Sequence, residues 1–330
     1  MRHFLSPLRN FFVMAALALI FILTSVTAYS NASTDPNGSL KRNAPAQEAF
    51  QIPDITTPKA EKMVDVGGRR LNSCVYGKGS PTVVLVSGFG APQTYWNPVV
   101  PDLAAKTTVL TYDRAGIGKS EIGNLPTHGK QAATDLHALL DKLDLPKPYI
   151  VVGHSYGGSV VRLFASMYPD GIGGIILEDS QMEGVLEEQR KILKGKDLEQ
   201  LEEIVAKFAP PDNPKTEGDY RDITEQQVKN SGPLPQVPFV VLTAGDRSKG
   251  MPPIFSEDAR KKMVELGLEM QKKLVSLIPG GKQLVINDVG HNIHIEKPEA
   301  LIKPVIEMIE EVQSKYKIGD RKSVTASKFS

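Results

Sequence analysis

Cysteine is nearly missing from this sequence. Of its 330 residues only Cys74 is one, so no intramolecular disulfide can form, and no Cys/His cluster has metal-ligand spacing. Cys74 lies among alternating residues beside a strand pattern and reads as a small buried side chain, not a reactive thiol. An excess of charge of either sign is also missing. With 39 basic and 38 acidic residues the formal net charge is +1, which gives no argument for nucleic-acid binding or for an electrostatic hold on membrane lipid. Tryptophan occurs once, at Trp96, and there are no internal repeats. What is present is ordinary for a globular chain: 41% hydrophobic and 23% charged residues, enough for a sizeable core. The length suits one large domain or two smaller ones.

Long apolar runs are scarce except at the N-terminus. Arg2, His3 and Arg9 precede the uncharged stretch FFVMAALALIFIL, Phe11 to Leu23, and small residues follow at VTA and SNA, up to Ala32. This is the three-part layout of a secretory signal. As a helix, Phe11 to Val26 would span about 24 Å, short of the ~30 Å hydrocarbon core. Residues 1–32 are therefore expected to be a signal peptide, or an anchor if uncleaved, which places the protein outside the cytoplasm as a secreted or membrane-anchored chain. No cysteine closely follows the run to accept a lipid. Residues 33–60, rich in Asn, Ser, Pro, Gln and Ala, read as a flexible linker.

From Lys62 the pattern becomes periodic. Met63–Val66, Gly67-Gly68 and Arg69–Tyr76 read as a hairpin with a glycine turn. The β-branched runs Pro81–Ser87, Thr107–Tyr112, Tyr149–Val152, Gly174–Leu177, Pro238–Thr243 and Gln283–Ile286 read as buried strands. Helical spacing lies between them, as at Leu136, Leu139, Leu140 and Leu143, and a last helix is marked by Leu301 to Val312, with Pro304 predicting a kink or a late start. A hairpin followed by alternating strands and helices indicates an α/β fold with a mostly parallel sheet flanked by helices. From Gln181 to Pro235 the alternation stops. Met182–Leu193 and Leu198–Phe208 look helical, and the segment reads as a small helical cap over one end of the sheet. The domain should cover residues 61–318, with 319–330 a disordered tail.

Ligands of such sheets bind at the carboxyl ends of the strands, so reactive residues should stand just past strands. Three do. Ser155 lies in GHSYG between a buried strand and an amphipathic helix, where flanking glycines let the chain turn sharply and hold the hydroxyl out. A serine hydroxyl is a poor nucleophile until a base takes its proton. Asp246 follows the strand ending at Thr243, and His291 lies on the loop before the last helix. The order Ser, Asp, His is the one such a fold uses. Asp179, just after the strand ending at Leu177, is the rival acid. Asp288 reads as a turn former, His294 as a loop or packing residue, and His154 as a packing or hydrogen-bonding residue on the turn. Acyl transfer also needs donors for a carbonyl oxyanion; the backbone N–H groups of Tyr156 and of Phe89, in SGFG after the first buried strand, are the candidates.

Taken together, GHSYG (Gly153–Gly157), LVSGFG (Leu85–Gly90), YDRAGIGKS (Tyr112–Ser120), AGD (Ala244–Asp246) and Gly290-His291 followed by EKPE (Glu296–Glu299) resemble the α/β-hydrolase family, in its serine-nucleophile, esterase-like branch with a cap after the sixth strand. The resemblance runs from about Met63 to Tyr316. It implies that Asp113 and Arg114 brace the site without reacting, and it departs from relatives at Ser87, where a histidine usually precedes the glycine. It implies a serine hydrolase acting on a small-molecule acyl substrate, a small carboxylic ester first. A lactonase, an amidase or peptidase, a carbon–carbon bond hydrolase and a perhydrolase share the same triad, and a non-catalytic binding protein on this scaffold is the remaining alternative. No cofactor and no metal is expected, no nucleic-acid partner, and a membrane only if the N-terminal segment is uncleaved.

Overall fold

The computed structural model describes residues 60–326 except 208–210, 212, 213, 250 and 252. The export segment, the linker up to residue 59 and the last residues of the expected tail lie outside the described residues. Eight strands form one sheet: β1 (Ala60–Asp65), β2 (Arg70–Tyr76), β3 (Thr82–Val86), β4 (Thr108–Tyr112), β5 (Tyr149–His154), β6 (Ile172–Glu178), β7 (Phe239–Ala244) and β8 (Lys282–Ile286). Their order is β1-β2-β4-β3-β5-β6-β7-β8. β1 and β2 pair antiparallel, as do β2 and β4, and every pair from β4 to β8 is parallel. The hairpin and the parallel strands are those the sequence pattern predicts.

The helices are α1 (Val100–Ala104), α2 (Gly129–Leu143), α3 (Tyr156–Met167), α4 (Val185–Ile192), α5 (Gly195–Lys207), α6 (Arg221–Lys229), α7 (Glu257–Val275), α8 (Ile293–Glu296) and α9 (Pro298–Ala326). Strand side chains alternate between two cores, as the two-residue repeat of a strand requires. Val84, Val86, Leu110, Val151, Ile175, Leu177 and Val241 face one way, with the apolar residues of α2, α3 and α7. Val83, Leu85, Val109, Ile150, Val152, Ile176 and Leu242 face the other, with those of α1 and α9 and with Trp96. Both faces being covered, the central strands read as unbroken apolar runs. α9 begins at Pro298 and continues past Pro304, so the late start does not occur, and its backbone passes residue 318, where the sequence suggests that the tail begins.

The described residues of the cap segment hold three helices where the sequence suggests two. α4 and α5 match the expected pair, and α6 is the addition. Its heptad pattern is thin: Val228 is buried but Ile223 is exposed. Hydrogen bonding seats it instead. Thr224 accepts from the N–H of Gly129 at 2.8 Å and Gln227 from that of Lys130 at 2.8 Å, which satisfies donors left open at the start of α2. Leu193, Leu201 and Ile204 join Met251, Phe255, Ala259 and Met263 in a third apolar cluster. α7, the helix between β7 and β8, is thus a floor for the cap.

α3 enters the sheet unusually close to β3. A Cβ added at Gly157 would lie 2.2 Å from the carbonyl oxygen of Val86 and 2.5 Å from that of Ser87. Both obstacles are backbone, so neither can swing aside. Gly157→Ala should therefore push α3 from the sheet and lower stability by ~1–3 kcal/mol or more, the usual cost of overpacking. Urea unfolding measures this, and an unchanged midpoint would show that the close approach is not a constraint.

Candidate active site

The chain turns at Ser155 in a conformation that L-residues rarely adopt, with φ 52° and ψ −120°. Such strain persists where surrounding bonds over-determine it, and here they do. The Ser155 N–H donates to the Glu178 carbonyl at 3.0 Å, while its own carbonyl accepts from Gly158 at 3.0 Å and from Gln181 at 2.9 Å. β5 thus ends tied to β6, and α3 starts immediately afterwards. The Ser155 side chain stands at the N-terminal end of α3, and Tyr156, the first residue of that helix, has no intrahelical acceptor for its N–H. The loop after β3 lies directly over this turn: a Cβ at Gly88 would be 3.4 Å from the Ser155 Cβ. Phe89 follows, its ring edge-on to Tyr156 with centroids 6.1 Å apart. The five residues Phe89, Tyr156, Ser155, Asp246 and His291 therefore all lie at the carboxyl ends of strands, but not all of them meet.

His291 meets Asp179. Its Nδ1 lies 2.6 Å from Asp179 Oδ2. A carboxylate can only accept, so Nδ1 carries the proton and Nε2 keeps a lone pair. That Nε2 is buried and has no protein partner. Asp179, directly after β6, adopts φ 39°. Its Oδ1 accepts from the N–H of Ala244 at 3.1 Å and from Nη1 of Arg247. Burial favours the neutral acid, but the Arg247 cation and the His291 bond outweigh it and hold the carboxyl below its ordinary range.

The sequence expectation that Asp246 orients the histidine is corrected by this geometry. The loop after β7 continues to pair with the segment beyond β8: Gly245 donates to Ile286 at 2.8 Å and Asp246 to Val289 at 3.0 Å. With its backbone so occupied, Asp246 turns its half-buried carboxylate to the hydroxyl of Ser248, 2.5 Å away. The residue from this loop that reaches the histidine's acid is Arg247. No signal in the residues themselves separates the two acids, since both follow strands that precede β8.

Beneath this pair lies a second polar group. His154, Glu178 and His294 are each almost fully buried, and the first two point to the α1/α9 face, as Val152 and Ile176 two residues before them do. His154 Nε2 lies 3.0 Å from the carbonyl oxygen of His291, so Nε2 carries the hydrogen and donates. Burial, followed by the neighbouring His291 and His294, pushes His154 well below the usual imidazole range, which leaves it neutral. Glu178 Oε1 accepts from both the N–H and Nδ1 of His294 at 2.8 Å, and the His294 ring lies 4.4 Å from that of Trp96. Among the described residues this is the one group of three His, Cys, Asp or Glu side chains whose donor atoms all lie within 4.8 Å of one another. Its hydrogen bonds make it a positioning group, in which His154 fixes the His291 main chain and Glu178 fixes the start of α8. Trp96 packs beneath the site.

The bracing residues stand as the sequence suggests. Asp113 accepts from the N–H of Gln93 at 2.7 Å and of Lys119 at 3.0 Å. Arg114 donates to the carbonyls of Ser87 and Gly88 at 2.6 and 2.7 Å. Its guanidinium also lies over the Tyr156 ring, 5.3 Å from the centroid. Asp288 takes φ 62°, a turn conformation.

Comparison with known proteins agrees with this architecture. A family model described as the alpha/beta hydrolase fold matches residues 81–239. The uncharacterised protein YqjL of Bacillus subtilis is 26% identical over 228 residues, covering 67% of this chain and 81% of that one. The soluble epoxide hydrolase of a Corynebacterium species is 36% identical over 102 residues, covering 30% of this chain and 34% of the relative, so this chain spans about a third of that protein's length. Among solved structures, a thermophilic esterase from Thermogutta terrifontis superposes with a TM-score of 0.52 at 22% identity, over 74% of this chain and 94% of that one. With the match reaching from β3 to the start of β7, and the strand order and the Ser155 turn around it, this chain has the alpha/beta hydrolase fold.

Proposed function

We propose that this hydrolase cleaves a small carboxylic ester through an acyl-enzyme on Ser155. One observation carries the reading: a buried His291 whose Nδ1–H is committed to Asp179, so that its Nε2 lone pair is free for a proton, on a loop anchored beside the strained Ser155 turn. A base needs its lone pair in the right tautomer before it can act. Asp179 supplies that tautomer and stays ionised to stabilise the imidazolium once it forms.

The steps follow. His291 Nε2 takes the Ser155 proton as the oxygen attacks the ester carbonyl. The N–H groups of Tyr156 and Phe89 hold the oxyanion, each such donor being worth ~10²–10³ in rate. His291 returns its proton to the departing alcohol. Water, deprotonated by the same nitrogen, attacks the acyl-enzyme, and the acid leaves with Ser155 restored. A serine at the turn argues for acyl transfer and against the alkyl-enzyme chemistry that an aspartate there would serve. The N-terminal apolar segment supports a place outside the cytoplasm.

Two measurements test the reading. Labelling with a fluorophosphonate probe should modify Ser155, and Ser155→Ala should abolish both the label and the hydrolysis of p-nitrophenyl butyrate; turnover that survives the substitution removes Ser155 from the reaction. The two acids should also separate. Asp179→Asn should lower kcat by about 10⁴-fold, the scale of losing the correct histidine tautomer, whereas Asp246→Asn should leave it near the starting value. The opposite ranking would return the acid to Asp246.

A further inference from the structure

Resting on that reading, we infer that Glu217, a residue of the cap, is a positioning residue for the oxyanion hole, so that the cap completes the catalytic apparatus as well as covering it. The oxyanion donor proposed at Phe89 belongs to a peptide unit whose other end is the Gly88 carbonyl. A peptide is planar and trans, so its C=O and N–H point in opposite directions, and whatever holds the Gly88 oxygen also aims the Phe89 N–H. Arg114 holds it, at 2.7 Å through Nη2. The next peptide unit ends in the Gly90 N–H, and Glu217 Oε1 accepts from that at 2.7 Å. Both peptide units around Phe89 are therefore fixed, one by Arg114 and one by Glu217.

The two holding groups also hold each other. Glu217 Oε2 lies 2.8 Å from Arg114 Nε, and Oε1 lies 2.9 Å from Arg114 Nη2. Both side chains are almost completely buried, at 3% and 4% exposure. Burial opposes the Arg114 charge, but Glu217 outweighs it and raises the guanidinium pKa. Without Glu217 the arginine would be an unpaired buried cation, free to abandon the loop carbonyls for other acceptors. Glu217 comes from residues 181–235, far from the loop in sequence, and is seated by the contacts that dock the cap, such as Thr127 Oγ1 to the Lys215 carbonyl at 3.0 Å.

The test must separate a lost oxyanion hole from a damaged fold. Replacing the carbonyl oxygen of an ester by sulfur does this, because thiocarbonyl sulfur is a weak hydrogen-bond acceptor and gains little from well-aimed N–H donors. Rates with p-nitrophenyl butyrate and its thionoester are compared for wild type and Glu217→Gln. The expected result is a fall of about 10- to 100-fold in kcat for the ester, little change in KM, and a much smaller fall for the thionoester, so that the oxygen-to-sulfur rate ratio drops at least severalfold. Should Glu217→Gln not fold, the double variant Arg114→Met/Glu217→Met replaces the buried pair with apolar groups of similar volume and should show the same drop. A ratio that stays at the wild-type value in the folded variant, whether activity falls or not, overturns the inference. Fluorophosphonate labelling of wild type is run alongside. If Ser155 labels and the ratio does not move, only the role of Glu217 fails; if wild-type Ser155 does not label, the serine-hydrolase reading fails and takes this inference with it.

Discussion

The carboxylate of Asp179 is the charge on which the site depends. Taking an anion out of water is costly unless strong partners replace the lost hydration. Here the partners come from the ends of neighbouring strands: the Ala244 N–H where β7 finishes, the Arg247 cation just beyond it, and the His291 imidazole after β8. Each is needed to keep the anion stable, so each is held in place by it. The arrangement explains why the loop after β7 offers a cation rather than an acid at this point. With the acid already supplied from β6, a second buried anion from β7 would repel the first. Arg247 makes the burial of Asp179 tolerable, and the oriented His291 follows.

A second constraint is crowding. α3 begins so close to β3 that glycine alone fits at residue 157, and in the loop after β3 a Cβ at Gly88 would lie 2.7 Å from Nδ1 of His154, beside Ser155. Arg114 and the cap reach the same loop from the other side. The cap also shares an apolar cluster with α7 and closes the start of α2 through α6. Sheet, loop and cap thus meet in one compact region, and a change in any of them is felt by the others.

How much of this is legible in the sequence depends on the range of the interaction. The strands are readable because burial on both faces leaves unbroken β-branched runs, and Ser155 and His291 because each follows such a run at a turn. The acid is not, because two aspartates satisfy the same local rule, and the choice between them rests on where side chains point after the sheet has formed. Asp246 is committed to Ser248, and only the fold reveals that. α6 is hard to see because side-chain hydrogen bonds to α2 seat it more than an apolar stripe does. Glu217 lies in a polar stretch that reads as surface, and its burial follows from Arg114, 103 residues earlier in the chain. His154 and His294 read from the sequence as packing, loop or hydrogen-bonding residues, and their grouping with Glu178 emerges only when the ends of β5 and β6 and the start of α8 are brought together.

That lower group has a consequence for what the chain can tolerate. Ser155 and His154 are consecutive, as are Asp179 and Glu178; in each pair the histidine or glutamate closes its strand and the serine or aspartate follows in a positive-φ turn. Loss of a single residue within β5 or β6 would turn His154 or Glu178 to the opposite face, away from His294, because a strand that slips by one turns every side chain over. Loops elsewhere can change length without turning a strand over, whereas these two strands tolerate substitution better than a change of length.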